Sequence, residues 1–288
     1  MSELSRRDFL AGITAAAGVA NLAGRPALAT DRPKVKKGSD LVKLGRTGIQ
    51  TTVLGMGTGT VSGSQQKALG YDGFTKLIRY GLDRGLRYID TADAYKTHPY
   101  VCKALEGVPR DKYFIQTKSF SRDPKRIQAD IERFLKELNT DHVDTLLMHC
   151  MTSGGWPKDM RPVMDVLDEA KKKGQVRAVG FSCHGAKPLA AGVDPDWPDV
   201  QLVRINPFDD KMDGKHEDVA PAIQKAHAKG RGMIGMKIYG ETGFDSREKR
   251  LASLKYVFGL GCIDCFTIGF RSTEQLDETL ELIELAQA

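Results

Sequence analysis

Cysteine is scarce in this sequence: Cys102, Cys150, Cys183, Cys262 and Cys265 are the only five in 288 residues. An odd number cannot all pair within one chain. A metal-ligand cluster is lacking too. His98, His184 and His216 are scattered, with no further ligands at metal-binding spacing, so no metal is expected. There is no low-complexity stretch and no close repeat. No apolar run is long enough for a confident membrane span, which needs about 20 residues. The glycine-rich Gly55-Met56-Gly57-Thr58-Gly59 lacks the G-x-G-x-x-G spacing of an open dinucleotide-binding sheet. Excess charge is also small where it would matter. Of the net +6, residues 1–29 carry +1 and Thr30 to Lys37 carry +3, which leaves about +2 for the rest. That is no basic face, and nucleic acid is not an expected partner.

What is present is ordinary soluble material, 41% hydrophobic and 28% charged, in a length that suits one α/β barrel. The first residues have a different character. Ser5-Arg6-Arg7-Asp8-Phe9-Leu10 precedes an apolar, Ala- and Gly-rich run to Gly24, and Ala27-Leu28-Ala29 supplies a small–x–small cleavage pattern. This is the layout of a twin-arginine export signal. It predicts a signal at 1–29 recognised by the twin-arginine machinery, a solvated linker at 30–40, and a mature domain at 41–288. The expected location is periplasmic or secreted. Thr30, and not a Cys, directly follows the cleavage site, so no stable membrane anchor is expected after processing.

Beyond residue 40, short β-branched or apolar runs alternate with longer amphipathic stretches. The runs are Val53–Met56, Arg87–Ile89, Tyr113–Gln116, Val143–Met148, Val176–Phe181, Val200–Ile205, Met233–Lys237 and Cys262–Ile268. Helices are predicted at Asp72–Arg84, Arg126–Leu138, Arg161–Lys173, Glu217–Lys229, Arg247–Phe258 and Thr273–Ala286. Eight such units predict an α/β fold, a closed parallel (β/α)8 TIM barrel. Leu41 to Ile49 reads as a β-hairpin capping the barrel's bottom.

In such a barrel the chemistry sits where strands end. The second strand ends in Asp90-Thr91-Ala92-Asp93-Ala94-Tyr95, the third in Gln116-Thr117-Lys118, and the fourth in Leu147-Met148-His149. An Asp, a Tyr, a Lys and a His therefore reach one face from three consecutive strands. Singly, each residue is more often a surface or satisfied polar group. Together they suit the interconversion of a carbonyl and an alcohol. Tyr95 serves as general acid or base, Lys118 lowers its pKa, Asp90 holds Lys118 charged, and His149 orients the carbonyl oxygen.

Leu44-Gly45-Arg46-Thr47-Gly48, Asp90-Thr91-Ala92 with Tyr95, Lys118, His149 and Gly180-Phe181-Ser182 together resemble the aldo/keto reductases, from about Leu41 to the end. The resemblance implies the (β/α)8 fold, an NAD(P)H cofactor, and Asp90, Tyr95, Lys118 and His149 as the catalytic set. It also implies that Ser182 and Gln201 hold the nicotinamide amide, with Cys183 where the family has Asn. Tyr239, in Met236-Lys237-Ile238-Tyr239-Gly240, is the candidate ring to stack on the nicotinamide. The segment Ile268-Gly269-Phe270-Arg271-Ser272-Thr273 resembles the family's phosphate and adenosine site. Its physics is independent of the resemblance. Ser272 opens a helix whose free N–H groups favour an anion. Arg271 suits a 2′-phosphate, which favours NADP with NAD still open. Gln275 and Glu278 lie one turn along. A plain N-cap is the competing reading of the same residues.

Trp156, in the loop after the fourth strand, either walls a pocket or covers the rim. Cys262 and Cys265 have C-x-x-C spacing but run into the last strand, where residues three apart face opposite sides. Three readings follow. The first is an NAD(P)-dependent oxidoreductase acting on an aldehyde, ketone or sugar. The second is a catalytically silent exported barrel that binds a partner. The third is a thiol redox protein using Cys262 and Cys265.

Overall fold

The structure, a computed structural model, describes residues 35–241 and 244–288. The expected signal at 1–29 and the first part of the expected linker lie outside them. No helix of the described residues is long and apolar enough to cross a membrane.

Two short strands, β1 (Leu41–Lys43) and β2 (Gln50–Thr52), pair antiparallel. The barrel follows: β3 (Leu54–Gly57), α1 (Ser64–Lys67), α2 (Gly70–Asp83), β4 (Tyr88–Asp90), α3 (His98–Leu105), β5 (Phe114–Ser119), α4 (Pro124–Leu138), β6 (Val143–Met151), α5 (Trp156–Asp159), α6 (Arg161–Lys172), β7 (Val176–Cys183), α7 (Ala186–Ala191), β8 (Val200–Arg204), α8 (His216–Ala228), β9 (Gly232–Met236), α9 (Arg247–Gly259), β10 (Cys265–Gly269) and α10 (Thr273–Gln287). Strands β3 to β10 are parallel and close in sequence order, with β10 returning to β3. All eight predicted runs are barrel strands, and all six predicted helices are present. The short α1, α3, α5 and α7 were not expected. Pro99 and Pro188 stand near the starts of α3 and α7, and α1, α5 and α7 have only four, four and six residues, too few for a helical period to stand out.

Local sequence explains the regular parts. In α4 the Asp123 side chain caps the helix by accepting from the Arg126 N–H at 2.9 Å, and Pro124 opens it. Ile127, Ile131, Phe134 and Leu138 recur at helical spacing and are all buried against the barrel, and Asn139 ends the helix in the left-handed region. The strands are buried on both sides, as parallel strands are, so they read as near-continuous apolar runs.

The hairpin turn sits at the barrel's bottom. The Arg46 N–H donates to the Gly230 carbonyl, just before β9 begins. The stretch 38–40, expected as the end of a solvated linker, is instead fixed to the barrel. The Leu54 N–H donates to Gly38 and the Val53 N–H to Asp40. A side chain at Gly38 would crowd Leu280, Ile283 and Leu54. Gly180 has a similar steric duty, since a Cβ there would overlap the Val200 carbonyl and push β7 from β8.

Strand register sorts the side chains into layers. Pairing runs Gly57↔Asp90, Asp90↔Gln116, Lys118↔Leu147, Leu147↔Gly180, Ser182↔Leu202, Arg204↔Met236 and Gly269↔Gly57. These residues and those two away on each strand share the inward face.

Candidate active site

Lys118 is fully buried inside the barrel. Its ammonium donates to Asp90 Oδ1 at 2.6 Å and to the Thr91 carbonyl at 2.8 Å. Gln116 Nε2 donates to the same Asp90 oxygen at 2.7 Å. Burial alone would push the Lys118 pKa down, but Asp90 and Tyr95 outweigh it and the group stays charged with a raised pKa. The ammonium lies 4.9 Å from the centroid of the Tyr95 ring.

Tyr95 ends a one-turn 3-10 helix, Asp93–Tyr95, and the chain turns away at Lys96 in a left-handed conformation. Its loop is tied down beneath. Thr97 Oγ1 lies 2.8 Å from both Thr58 Oγ1 and Thr91 Oγ1. Asp93 accepts from Lys96 at 2.9 Å and from Arg133 at 3.0 Å. Gly59 lies against the Tyr95 ring, where a Cβ would overlap it. Sequence reasoning assigned Gly59 no part in the site; its only signal was an unexplained glycine-rich turn.

The expected effect of Lys118 on Tyr95 is present but is not the larger one. Lys118 does pull the phenol's pKa down, but burial is the larger cause and the net direction is upward. Tyr95 is therefore a firmly protonated phenol, not a partly ionised one.

His149 completes the group. The pairing of β6 with β7 shifts register between Met148 and Met151, and Cys150 has positive φ. Such irregularities at strand ends re-aim side chains. The His149 ring lies edge-on to Tyr95 with centroids 5.7 Å apart, and it stacks on Phe120 at 4.2 Å. Phe120 is 48% exposed, an apolar wall over the His149 ring that the sequence did not single out. Burial pushes the His149 pKa down to about 2, with Lys118, His184, Arg122 and Arg204 adding to it. Its Nδ1 is buried without a hydrogen-bond partner.

A cavity of about 480 Å³ runs from Asp90 and Tyr95 to the start of α10. It is lined by Gly57, Gly59, Tyr239, Phe244, Gly269, Arg271, Gln275 and Glu278, among others. Of the expected cofactor residues, Tyr239, Gly269, Arg271, Gln275 and Glu278 thus meet in one cavity with Asp90 and Tyr95. Glu278 is held there by Arg250 at 2.7 Å.

The others lie elsewhere. Ser272 is the N-cap of α10, accepting from the Gln275 N–H at 3.4 Å, while Gln275 Oε1 accepts from the Arg271 N–H at 2.9 Å. The capping reading and the cavity reading of this segment therefore coexist, and Ser272 belongs to the cap. Ser182 is buried and accepts from the Cys150 N–H at 2.9 Å, outside the cavity lining. Gln201 is a clear misplacement. It pairs in register with Phe181 and Met233, one residue off the inward face, and its Oε1 accepts from Arg231 at 2.7 Å. Trp156 is also internal. It packs on Phe181 at 4.3 Å and donates to the Pro188 carbonyl at 3.1 Å, so it neither walls the cavity nor covers the rim.

The cysteines give no exposed thiol pair. Cys262 and Cys265 are both buried, and burial pushes the Cys265 thiol far up. Cys183 is likewise buried and raised, its Sγ lying 3.8 Å from Asp213. Reactive thiols need thiolate character and access.

The cavity lining suits a phosphate-bearing cofactor with flat rings. Backbone at Gly57, Gly59, Gly240 and Gly269 leaves close approach open, Tyr239, Phe244 and Phe270 are aromatic, and Arg250 and Arg271 are cationic.

A model of the aldo/keto reductase family matches residues 53–257. Aldo-keto reductase YhdN of Bacillus subtilis is 30% identical over 153 residues, 47% of this chain and 44% of that protein. Methylglyoxal reductase DkgB of Salmonella typhi is 35% identical over 140 residues, 46% of this chain and 51% of that protein. The chain thus spans about half the length of the curated relatives it matches. A solved aldo-keto reductase complexed with NADPH superposes with TM-score 0.67, covering 86% of this chain and 84% of its own at 21% identity. At that identity the likeness is one of fold.

The buried histidine has a consequence for acid stability. A histidine whose folded pKa is depressed binds fewer protons folded than unfolded, so stability is full above the unfolded value near 6.5 and falls below it. From pH 6.5 to pH 4, His149 withdraws up to about 3 kcal/mol. His98 and His184 add to the fall, since burial lowers both. Urea titrations at pH 7.5, 5.5 and 4 should show this loss, and H149Q should flatten it by about 2–3 kcal/mol. An unchanged slope in H149Q would mean that His149 is not held neutral.

Proposed function

The chain belongs to the aldo/keto reductase family, and from that premise we propose that it is an NADP-dependent oxidoreductase interconverting a carbonyl and an alcohol, with Tyr95 as the proton donor. One observation carries the reading. A protonated Tyr95 beside the Lys118–Asp90 pair shares a single cavity with Arg271, Gln275 and Glu278.

The nicotinamide, when bound, supplies the hydride to the carbonyl carbon. The protein supplies the proton and the electrostatics. Tyr95 gives its phenolic proton to the oxygen as charge develops there. The phenolate left behind faces the Lys118 ammonium, whose charge Asp90 maintains. His149 is neutral at working pH, so it acts as a hydrogen-bonding imidazole and not as a cation. Phe120 and the Tyr95 ring flank it and limit water. Burial keeps Tyr95 protonated at neutral pH, which is the form that reduction requires of it.

Two measurements test this. Y95F keeps the ring and removes the proton. It should lower kcat by about 10²-fold or more while still binding NADPH, and an undiminished rate would sink the mechanism. Arg271 lines the cavity with an exposed side chain at the start of α10. R271A should weaken NADPH binding about tenfold with little change for NADH, read by cofactor fluorescence. Equal losses for both would argue against a 2′-phosphate contact.

The proposal extends to location. Ser5-Arg6-Arg7-Asp8-Phe9-Leu10 and Ala27-Leu28-Ala29 support twin-arginine export, a route for folded cargo that has already taken up its cofactor. Expressed in a bacterium with that pathway, the periplasmic protein should begin at Thr30. A cytoplasmic protein beginning at Met1 would refute export.

A further inference from the structure

The inward layer at the top of the barrel contains one charged residue that the reaction above does not use. Arg204 ends β8, pairs in register with Met236, and shares its face with Leu202. Met236 lines the cavity that holds Asp90 and Tyr95. On the other side, Leu202 pairs with Ser182, and that strand joins the one carrying His149. By register, Arg204 therefore belongs to the same upper ring as Asp90 and Lys118.

Its own partners do not account for it. The side chain is 16% exposed. Its one ion pair among the described residues is a single contact of 3.5 Å to Asp213 Oδ1, longer than a charge-assisted hydrogen bond. That carboxylate already accepts from the Gly185 N–H at 2.7 Å and lies 3.8 Å from the Cys183 thiol. Arg204 Nε is buried and has no hydrogen-bond partner among the described residues. Nearby Glu241 is occupied by Lys237 at 2.9 Å. Arg122, a second cation near His149, has carbonyls as its hydrogen-bond partners among the described residues, those of Phe120, Ser121, His149 and Cys150.

A guanidinium has five donors and no way to lose its charge. Leaving it half-satisfied in the barrel's upper layer, one strand from the cavity-lining Met236, is costly unless an anion completes it. Its field is felt at the reacting groups: Arg204 depresses both the Tyr95 and the His149 pKa values.

We infer that Arg204 is the specificity-determining residue for a carbonyl substrate that carries a carboxylate, a small oxo-acid whose acid group Arg204 grips while its carbonyl faces Tyr95. This rests on the reductase reading above and deepens it. A planar fork matches a carboxylate in two parallel hydrogen bonds, which gives orientation as well as charge recognition. Lys118 is not available for this, because Asp90 and the Thr91 carbonyl hold it.

The test compares two four-carbon aldehydes, succinic semialdehyde and butanal, with NADPH. The wild-type protein should prefer the acid by about 10²-fold in kcat/KM. R204M should lower kcat/KM for succinic semialdehyde about 10²-fold more than for butanal, chiefly through KM, and R204K should recover only part of it. Calorimetric titration with succinate reads the same site without turnover. It should bind the wild type and bind R204M at least tenfold more weakly. Reduction of neither aldehyde would count against the reductase reading, and succinate binding would still decide the anion site. No wild-type preference for the acid, equal losses on both aldehydes, or succinate binding unchanged in R204M would overturn the inference. Inorganic phosphate binding more tightly than succinate would overturn the choice of carboxylate.

Discussion

An ammonium in the interior of a closed sheet is expensive to bury, and Asp90 makes the burial of Lys118 tolerable. The pair is complete: two acceptors reach the ammonium, and Gln116 occupies the carboxylate oxygen that Lys118 shares. Removing either partner would leave a buried charge alone, at a typical cost of about 3–5 kcal/mol. The pair also ties β4 to β5 at the height where the Tyr95 loop leaves the barrel. That loop has few apolar anchors of its own. It is held by hydroxyls from Thr58, Thr91 and Thr97 and by the close fit of Gly59. The position of the phenol therefore depends on a charge pair that the barrel keeps dry.

From that pair follows the electrostatic character of the site. Burial keeps His149 neutral, and the charges of Lys118, Arg122 and Arg204 act in the same sense. Burial acts on Tyr95 in the opposite sense to Lys118 and prevails. The outcome is a neutral acid, a neutral imidazole and fixed positive charge around them. Such a site is prepared for negative charge to appear on an oxygen atom, which is what carbonyl reduction creates.

Much of this was legible in the sequence because its signals were local. Eight apolar runs showed the strands, and Ile127, Ile131, Phe134 and Leu138 showed one helix face. Asp90, Tyr95, Lys118 and His149 could be brought together because they sit at the ends of consecutive strands, and consecutive strands are neighbours in this fold. Phe120 and Gly59 were not legible, since a wall residue and a close approach leave no pattern until the partner's position is known. The fate of Trp156 was hidden for the same reason: only packing distinguishes a tryptophan under a helix from one over a pocket.

Gln201 failed for a more instructive reason. Side chains on a strand alternate with a period of two, so an offset of one residue moves a group from the interior to the helix layer. Motif matching reads residue type at an approximate position and is blind to that parity. Register is not: it puts Gln201 beside Phe181 and Arg231, outside, and Leu202 and Arg204 inside. The amide expected at the cofactor therefore stabilises the outer layer, and a guanidinium occupies the inward end of the same strand. In this barrel the cluster of Asp90, Tyr95, Lys118 and His149 was readable from residue types at strand ends, whereas the inward position of Arg204 was readable only once the facing of every strand residue had been fixed.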